Sequence, residues 1–543
     1  MRMVKRAAQA IAPGMMAKRE RARTEIARQQ AVQRVFNQGY GNHGASTGRK
    51  SLKTFLPGAG DAQKDIEKNL PLLRSRARDL YMGGALPNGA LKAMRTNVVG
   101  TGLRLKPAFD AEHLGLSPEA ATDLARQIER EWSLWAESKE CDALGLHNFY
   151  ELQQLAFLSQ LMSGDTFPLL ADLPREHAVY DLRIKIIEAD RCNTPAIGVN
   201  GVSEEQRKRI SSGVETDKDG MVVAYWFSDR HPQSPIDIQP MKWTRVPIRG
   251  EKSGRRNVLH MMDAERPEQR RGVPILAPVI EAFKQLERYI DAELTAAVIA
   301  GMFTVFVKMA DEDTTPDAFA LPDEEDNPYG EPLPRGDDEI GLGNGAVNFL
   351  RPGEEIQIAD PKRPFGGFDP FVMAVLRQVG AALELPYELL LKNFTSSYSA
   401  SRGALLEAWK MFRMRRTWMA ADFCQPIYEE WFAEAAIKGR INVPGLFDDP
   451  QIFRAYTRAE WHGPSYGMLD PVKEVNAAIL RMQYGLSNGQ REAAEMTGTE
   501  YESNIRQLAA EQRMRDAHGL AKPEPLILDR GNEDPEDDSD DED

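Results

Sequence analysis

The chain has 543 residues, 42% of them hydrophobic, with a formal charge of −14 and an isoelectric point near 5.3. That length suits about two to four domains around a sizeable core, and the acidity argues against a protein that coats DNA over its whole surface. Cys141, Cys192 and Cys424 stand far apart, which suggests a reducing compartment and neither a disulfide framework nor a CxxC metal site; no apolar run reaches the roughly 18 residues of a membrane span, and the N-terminus lacks the apolar core of a signal peptide.

Charge is unevenly placed. Residues 1–53 carry twelve Lys and Arg against Glu20 and Glu25, a net +10 that leaves −24 for the remainder. A basic helix is expected from Met15 to Phe36 and a flexible Gly/Asn/Ser linker after it, so residues 1–65 read as a partly disordered arm able to touch nucleic acid or a scaffold. The body begins near Ile66. Helices are expected over Leu70–Tyr81, closed by Met82-Gly-Gly, and over Asn88–Asn97. Gly100 and Gly102 then mark turns before a short strand; without a third glycine opening a helix they are no dinucleotide loop. Ser117 caps a helix to Trp135, and Asn148 starts one that ends at Ser163-Gly164. Strands are expected at Arg183–Glu188 and Met221–Phe227, the second after an Asp217-Lys-Asp-Gly turn.

The organising stretch is Arg266-Pro-Glu-Gln-Arg-Arg-Gly-Val-Pro274 and the helix after it. Proline at 274 suits a first helical turn, and Leu276, Val279, Ile280, Phe283, Leu286, Ile290, Leu294 and Val298 form one stripe at spacings of three and four. Such a helix, reaching about Met302, is a rod of about 40 Å. Strands are expected at Phe303–Val307 and Ala346–Leu350, flanking an acidic, Pro/Gly-rich excursion. Asp369 caps a further helix with Pro370 at its first position. The polar segment Asn393-Phe-Thr-Ser-Ser-Tyr-Ser-Ala-Ser-Arg402 leads into a long helix, Ala404 to Lys438, buried through Leu405, Trp409, Phe412, Ala420, Phe423 and Ile427 and carrying Arg413, Arg415 and Arg416. Asp470 caps the first of three closing helices at about 471–485, 488–496 and 499–517, the second capped by Ser487 or Asn488. From Glu533 only Pro535 and Ser539 are not acidic, a composition that forbids a packed core.

Asn97-Val-Val-Gly-Thr-Gly-Leu-Arg-Leu, Ile187-Glu-Ala-Asp-Arg, Gly213 to Tyr225, Val258-Leu-His260, Arg266 to Pro274 and Tyr398-Ser-Ala-Ser-Arg402 resemble, in order and spacing, the lambda-type phage portal proteins over roughly residues 70–515. The resemblance implies an α+β portal fold with wing, helical stem, β-containing clip and helical crown, forming a ring, usually dodecameric, at one capsid vertex. Its parts map as the arm at 1–65, wing at 66–273, first stem helix at 274–302, clip at 303–369 and second stem helix at 370–392. The tunnel loop follows at 393–402, then a long helix at 403–438, a wing return at 439–470, crown helices at 471–517 and an acidic tail at 518–543. The β-rich stretch 180–265 competes with 303–369 as the clip.

The implied function is a channel for packaging and ejecting double-stranded DNA, and a docking site for the large terminase and then a head–tail adaptor, with a major capsid or scaffold protein around it and no membrane. Channel candidates are Asn393, Thr395, Ser396, Ser397, Tyr398, Ser399, Ser401 and Arg402; candidate DNA contacts are Arg413, Arg415 and Arg416; stem packing falls to Leu276, Phe283, Ile290 and Leu294. The virion is the implied location, after assembly in the host cytoplasm. The alternative is a virion or scaffold protein that binds nucleic acid through its arm. No enzyme is indicated, because G-x-x-x-x-G-K-[ST] and H-E-x-x-H are both missing. No cofactor or metal is expected. His260 with Asp263 suggests a dyad, and Cys192 lies beside Asp190 and Arg191, but both read as structural; Glu324-Glu325-Asp326 reads as a solvated acidic loop.

Overall fold

The computed structural model describes residues 13–36, 45–47, 49–196, 202–234, 240–301, 305–308, 347–350, 368–394, 397–465, 471–499 and 501–520. It divides into two units, residues 1–65 and 66–543. In the first, α1 (Pro13–Phe36) is the expected basic helix. The acidic excursion 311–343, Glu324 to Asp326, Asp470 and the acidic tail lie outside the described residues.

The second unit opens with α2 (Leu70–Gly83) and α3 (Ala85–Val98). Their break is Gly84, which caps α2 in extended conformation by donating its N–H to the Leu80 carbonyl, as Met82-Gly-Gly leads one to expect; a Cβ there would sit 2.8 Å from that carbonyl oxygen. Next come β1 (Arg104–Pro107), α4 (Pro118–Ala136) and α5 (Phe149–Ser163). Ser117 caps α4 by accepting from the Ala120 N–H, and Asn148 with Glu151 makes a reciprocal capping box on α5.

Two antiparallel sheets follow. β2 (Asp165–Asp172) lies between β3 (Leu182–Ile187) and β8 (Met261–Met262). After the short α6 (Glu204–Lys208), β4 (Ile210–Ser211), β5 (Val214–Thr216), β6 (Val222–Ser228) and β7 (Trp243–Pro247) make a meander in sequence order, with the expected Asp217 turn between β5 and β6.

The organising helix starts later than Pro274 suggests. Pro274 precedes a turn, a 3-10 segment holds Pro278 at Ala277–Val279, and α7 runs Ile280–Gly301, about 33 Å long. β9 (Val305–Lys308) and β10 (Val347–Leu350) pair in parallel. α8 (Phe368–Ala382) already contains Asp369 in its first turn, where a carboxylate favours the helix N-terminus without being its cap. It stops well short of residue 392: Leu383 to Pro386 break the chain, with Glu384 at positive φ, before the single-turn α9 (Tyr387–Leu391). α7 and α8 pack on one another: Tyr289, near the middle of α7, stacks on Phe368 and meets Phe371 edge-on at the start of α8.

α10 (Tyr398–Met419) passes through a π-helical turn (Ala420–Cys424) into α11 (Gln425–Ile437), so the long helix begins six residues before Ala404. α12 (Pro450–Thr457) leads to β11 (Ala459–His462), which pairs antiparallel with β1 and closes the chain on itself. α13 (Pro471–Gln483), α14 (Gly489–Thr497) and α15 (Tyr501–Ala517) finish the described chain, and Asn488, not Ser487, caps α14.

One continuous core joins α2–α5, the start of α7 and α8–α11. Its centre is aromatic: Trp132 of α4 lies within 6 Å, ring centre to ring centre, of Trp135, Phe149, Tyr428, Trp431 and Trp461. Mostly edge-to-face arrangements of this kind are worth about 0.5–1.5 kcal/mol per pair beyond burial. A smaller cluster around Phe167, Val214, Tyr225 and Phe227 joins the two sheets.

Candidate functional site

Helix α5 must end where it does because Gly164 adopts φ +87°, and the next residue, Asp165, is fully buried. Its carboxylate accepts from Arg271 Nε at 2.6 Å and Nη2 at 3.1 Å, from Arg74 Nη2 of α2 at 3.0 Å and from the Gly272 N–H at 3.1 Å. Arg271 also donates to the carbonyls of Ala189, Cys192 and Ser212, over the face of Phe167. Arg74 reaches the Ser163 carbonyl, and Arg78 one turn on binds Asp190. Burial pushes the Asp165 pKa up, but the charges of Arg271 and Arg74 outweigh it and hold the carboxyl well below its ordinary value. Backbones close the same junction: a Cβ on Gly272 would stand 1.9 Å from the Gly164 carbonyl oxygen. The segment feeding α7 is thereby fixed to α2, α5 and both sheets.

This network is closed, and it is structural chemistry. His260 faces Asp165 at 3.4 Å and the Tyr225 hydroxyl at 3.2 Å, stacked on Phe167, whereas Asp263 faces Arg415; the suggested His260–Asp263 dyad is not formed. Burial lowers the His260 pKa and pushes the Cys192 thiol up to about 12, so neither is poised as base or nucleophile. Glu188, Asp190 and His231 have ligand spacing, but Arg78 already pairs with both carboxylates.

The polar segment before α10 is shorter than its sequence suggests. Lys392, at positive φ, ends α9, and Asn393 and Phe394 are exposed. Thr395 and Ser396 lie outside the described residues. Ser397 caps α10 by accepting from the Ala400 N–H at 3.4 Å, so Tyr398, Ser399, Ser401 and Arg402 belong to the first turns of the helix. The three arginines separate. Arg413 is exposed, 3.6 Å from Glu495 of α14. Arg415 lies 3.6 Å from both Asp263 and Glu384. Arg416 is turned inward onto the carbonyls of Asn97, Val98 and Pro464, a geometry that commits its Nε and Nη2 within the subunit.

On α7 the stripe divides. Leu276, Val279, Phe283 and Leu286 are buried. Ile290, Leu294 and Val298, on the same face, are 38%, 63% and 51% exposed in the single chain.

Comparison with known proteins decides the family: the profile described as "Phage portal protein, lambda family" matches residues 48–416. The chain belongs to that family. Portal protein B of Escherichia phage lambda is 24% identical over 499 residues, 89% of this chain and 91% of the relative. The portal protein of Escherichia phage N15 is 24% identical over 502 residues, 89% and 92%. Among solved structures, the neck of an empty gene transfer agent particle has TM-score 0.37 at 14% identity, covering 83% of this chain and 94% of that one. The resemblance carried by the six short motifs thus holds. This portal protein is a structural component of the virion, not an enzyme, and no helix among its described residues is long and apolar enough to cross a membrane. Two of its family motifs, Ile187–Arg191 and Arg266–Pro274, converge on the Asp165 network. Both motifs are visible in the sequence, but the roles of Asp165, Arg74 and Arg271 are not, because buried charges look like surface residues in a hydropathy pattern.

Proposed function

We propose that this portal protein works as a ring of twelve copies at one capsid vertex, with double-stranded DNA passing along its axis. The observation that carries the reading is the divided stripe of α7. Its first half is covered by its own chain, and its second half presents Ile290, Leu294 and Val298 to solvent, apolar surface that a neighbouring copy would cover at about 1.5–3 kcal/mol per fully buried side chain. In this arrangement α7 and α8 form the stem, residues 66–273 with 439–470 the wing, 303–369 the clip and 471–517 the crown. The large terminase and afterwards a head–tail adaptor dock on the ring, a major capsid or scaffold protein surrounds it, and assembly takes place in the host cytoplasm.

A channel must hold DNA without gripping it. Duplex DNA carries one phosphate charge per roughly 1.7 Å, and every Lys or Arg contact adds salt-sensitive affinity. A lumen formed by Asn393, Thr395, Ser396, Ser397, Tyr398, Ser399 and Ser401 offers neutral side chains to passing phosphates, with Arg402 the single cation per copy. Negative-stain microscopy of the purified protein is expected to show rings with an axial hole, and uniform monomers at assembly concentrations would defeat the reading. Because Ser397 caps α10, the loop is best shortened between Asn393 and Ser396. Rings are then expected to form while packaged DNA length or its retention in capsids falls; loss of rings would make the segment an assembly element instead.

A further inference from the structure

We propose that the recess between α10, the connection after β11 and α14 binds a phosphate-class oxyanion on the guanidinium groups of Arg413 and Arg416. The recess has a volume of about 250 Å³, enough for one tetrahedral oxyanion with waters and too small for a duplex. Trp409, Arg413, Arg416 and Thr417 line it from α10, His462 from the end of β11, Gly463 to Ser465 from the connection, and Glu495 from α14.

Arg416 is built into this wall. Its Nε donates to the Val98 carbonyl at 3.1 Å, and its Nη2 to those of Asn97 and Pro464 at 2.9 Å each. Gly463 makes room for it, since a Cβ there would lie 2.6 Å from Nε. The group lies over the Trp409 ring. Carbonyls satisfy its hydrogen bonds without neutralising its charge: Arg416 forms no ion pair among the described residues, and Nη1 has no acceptor among them. Cations drawn partly out of water, as Arg416 is, are favoured by a counter-charge; partial burial and the neighbouring Arg413 charge lower the Arg416 pKa to about 10, and it remains charged at neutral pH.

Arg413, one helical turn earlier, adds a second positive charge. Its carboxylate neighbour, Glu495, is 3.6 Å away, outside ordinary hydrogen-bond range. Two guanidinium groups against one loosely placed carboxylate leave the recess with an excess positive charge. An oxyanion accepting from Arg413 and from Nη1 of Arg416 would supply the missing counter-charge, with the paired N–H geometry that suits phosphate oxygens. Free phosphate and a DNA backbone phosphate present the same chemistry. The inference does not depend on the number of copies in the ring.

Purified full-length protein would be titrated with sodium phosphate in an isothermal calorimeter, against chloride of matched ionic strength. Saturable binding is expected. Arg413→Gln should weaken it about tenfold, the scale of one hydrogen bond to a charged group, and Glu495→Gln should tighten it by removing the competing carboxylate. Both side chains are substantially exposed, so folding is spared, whereas replacing Arg416 would orphan three carbonyls. In a second arm, affinity for a duplex oligonucleotide is followed against salt. A slope reduced by about 1 in Arg413→Gln, with phosphate competing, assigns the site to backbone phosphate; saturable phosphate binding with an unchanged slope assigns it to the free ion. The proposal is overturned if phosphate gives no saturable heat and the slope does not move, or if both variants bind phosphate like the parent.

Discussion

The junction around Asp165 and the outer half of α7 are joined in sequence by a few turns of helix, yet they solve opposite problems. At the junction every charge has its partner inside one chain: Asp165 between Arg74 and Arg271, and Arg271 on three carbonyls. Along α7 the same helix begins fully covered at Phe283 and Leu286 and, one to three turns on, shows solvent the residues its pattern marks for a core. A monomeric protein would have little reason to carry the stripe that far. The contrast separates what a copy completes alone, the direction in which α7 leaves the body, from what, in the proposed ring, it would leave to its neighbours.

The largest expected effect is at the junction. Asp165→Asn leaves two buried guanidinium groups facing a neutral amide, and breaking a buried pair in this way costs about 3–5 kcal/mol. Urea unfolding at fixed protein concentration is the measurement. A loss below about 1 kcal/mol, the level of a surface ion pair, would mean that the network is not the keystone its geometry suggests.

Next is Leu294→Asp, which tests the other side of the comparison. Leu294 is 63% exposed in the single chain, so solubility and far-UV dichroism should be retained while rings are lost, a buried unpaired charge costing several kcal/mol at each interface. Phe283→Asp, on the covered half, should instead prevent folding. Light scattering and negative stain report both; unchanged rings in Leu294→Asp would place that face outside the interface. Ile290→Asp should behave like Leu294→Asp, with some cost to the chain itself because Ile290 is the more covered of the two.

Periodicity showed the stripe of α7, but it cannot say whether chain or neighbour covers each turn, since the requirement for apolar residues is the same. Caps at Ser117 and Asn148 were legible because they rest on local hydrogen bonding. Helix ends at Pro274 and Asp369 were misplaced by a few residues, because proline and aspartate suit the first turn as well as the boundary. Tyr398 to Arg402 reads as loop from its small polar residues, yet once Ser397 caps the helix those residues are tolerated in its first turns. The arginine cluster at 413–416 was visible as charge, but that Arg416 turns inward depends on Gly463 and Pro464, nearly fifty residues away.

A finer test of the junction uses pH. His260 is packed against Asp165, Tyr225 and Phe167, with Arg271 and Arg74 acting on it, and burial lowers its pKa. The unfolded chain therefore binds the proton more readily, and stability should fall as pH drops below about 6.5, the ordinary histidine value. Asp165, with its pKa held down, contributes stability fully present above about 3.9 and lost only as pH falls further. Denaturation midpoints between pH 7.5 and 5 should decline, and His260→Gln should flatten that decline; an equal slope in the variant would trace it to other groups.

The smallest effect is expected from the arm, which lies outside the comparison and sharpens it. Residues 1–53 carry +10 while the rest of the chain carries −24, and the described side chains of α1 are exposed. Weak binding of unassembled protein to DNA should run mainly through this segment, with neither the junction nor α7 contributing. Deleting residues 1–53 should lower affinity at low salt and flatten the plot of log K against log salt, by about 0.9 for each phosphate contact removed, with the urea midpoint of the body unaltered. An unchanged slope would move the phosphate contacts to the body, where Arg413 is the exposed member of the α10 cluster, and would make the recess beside it the first place to look.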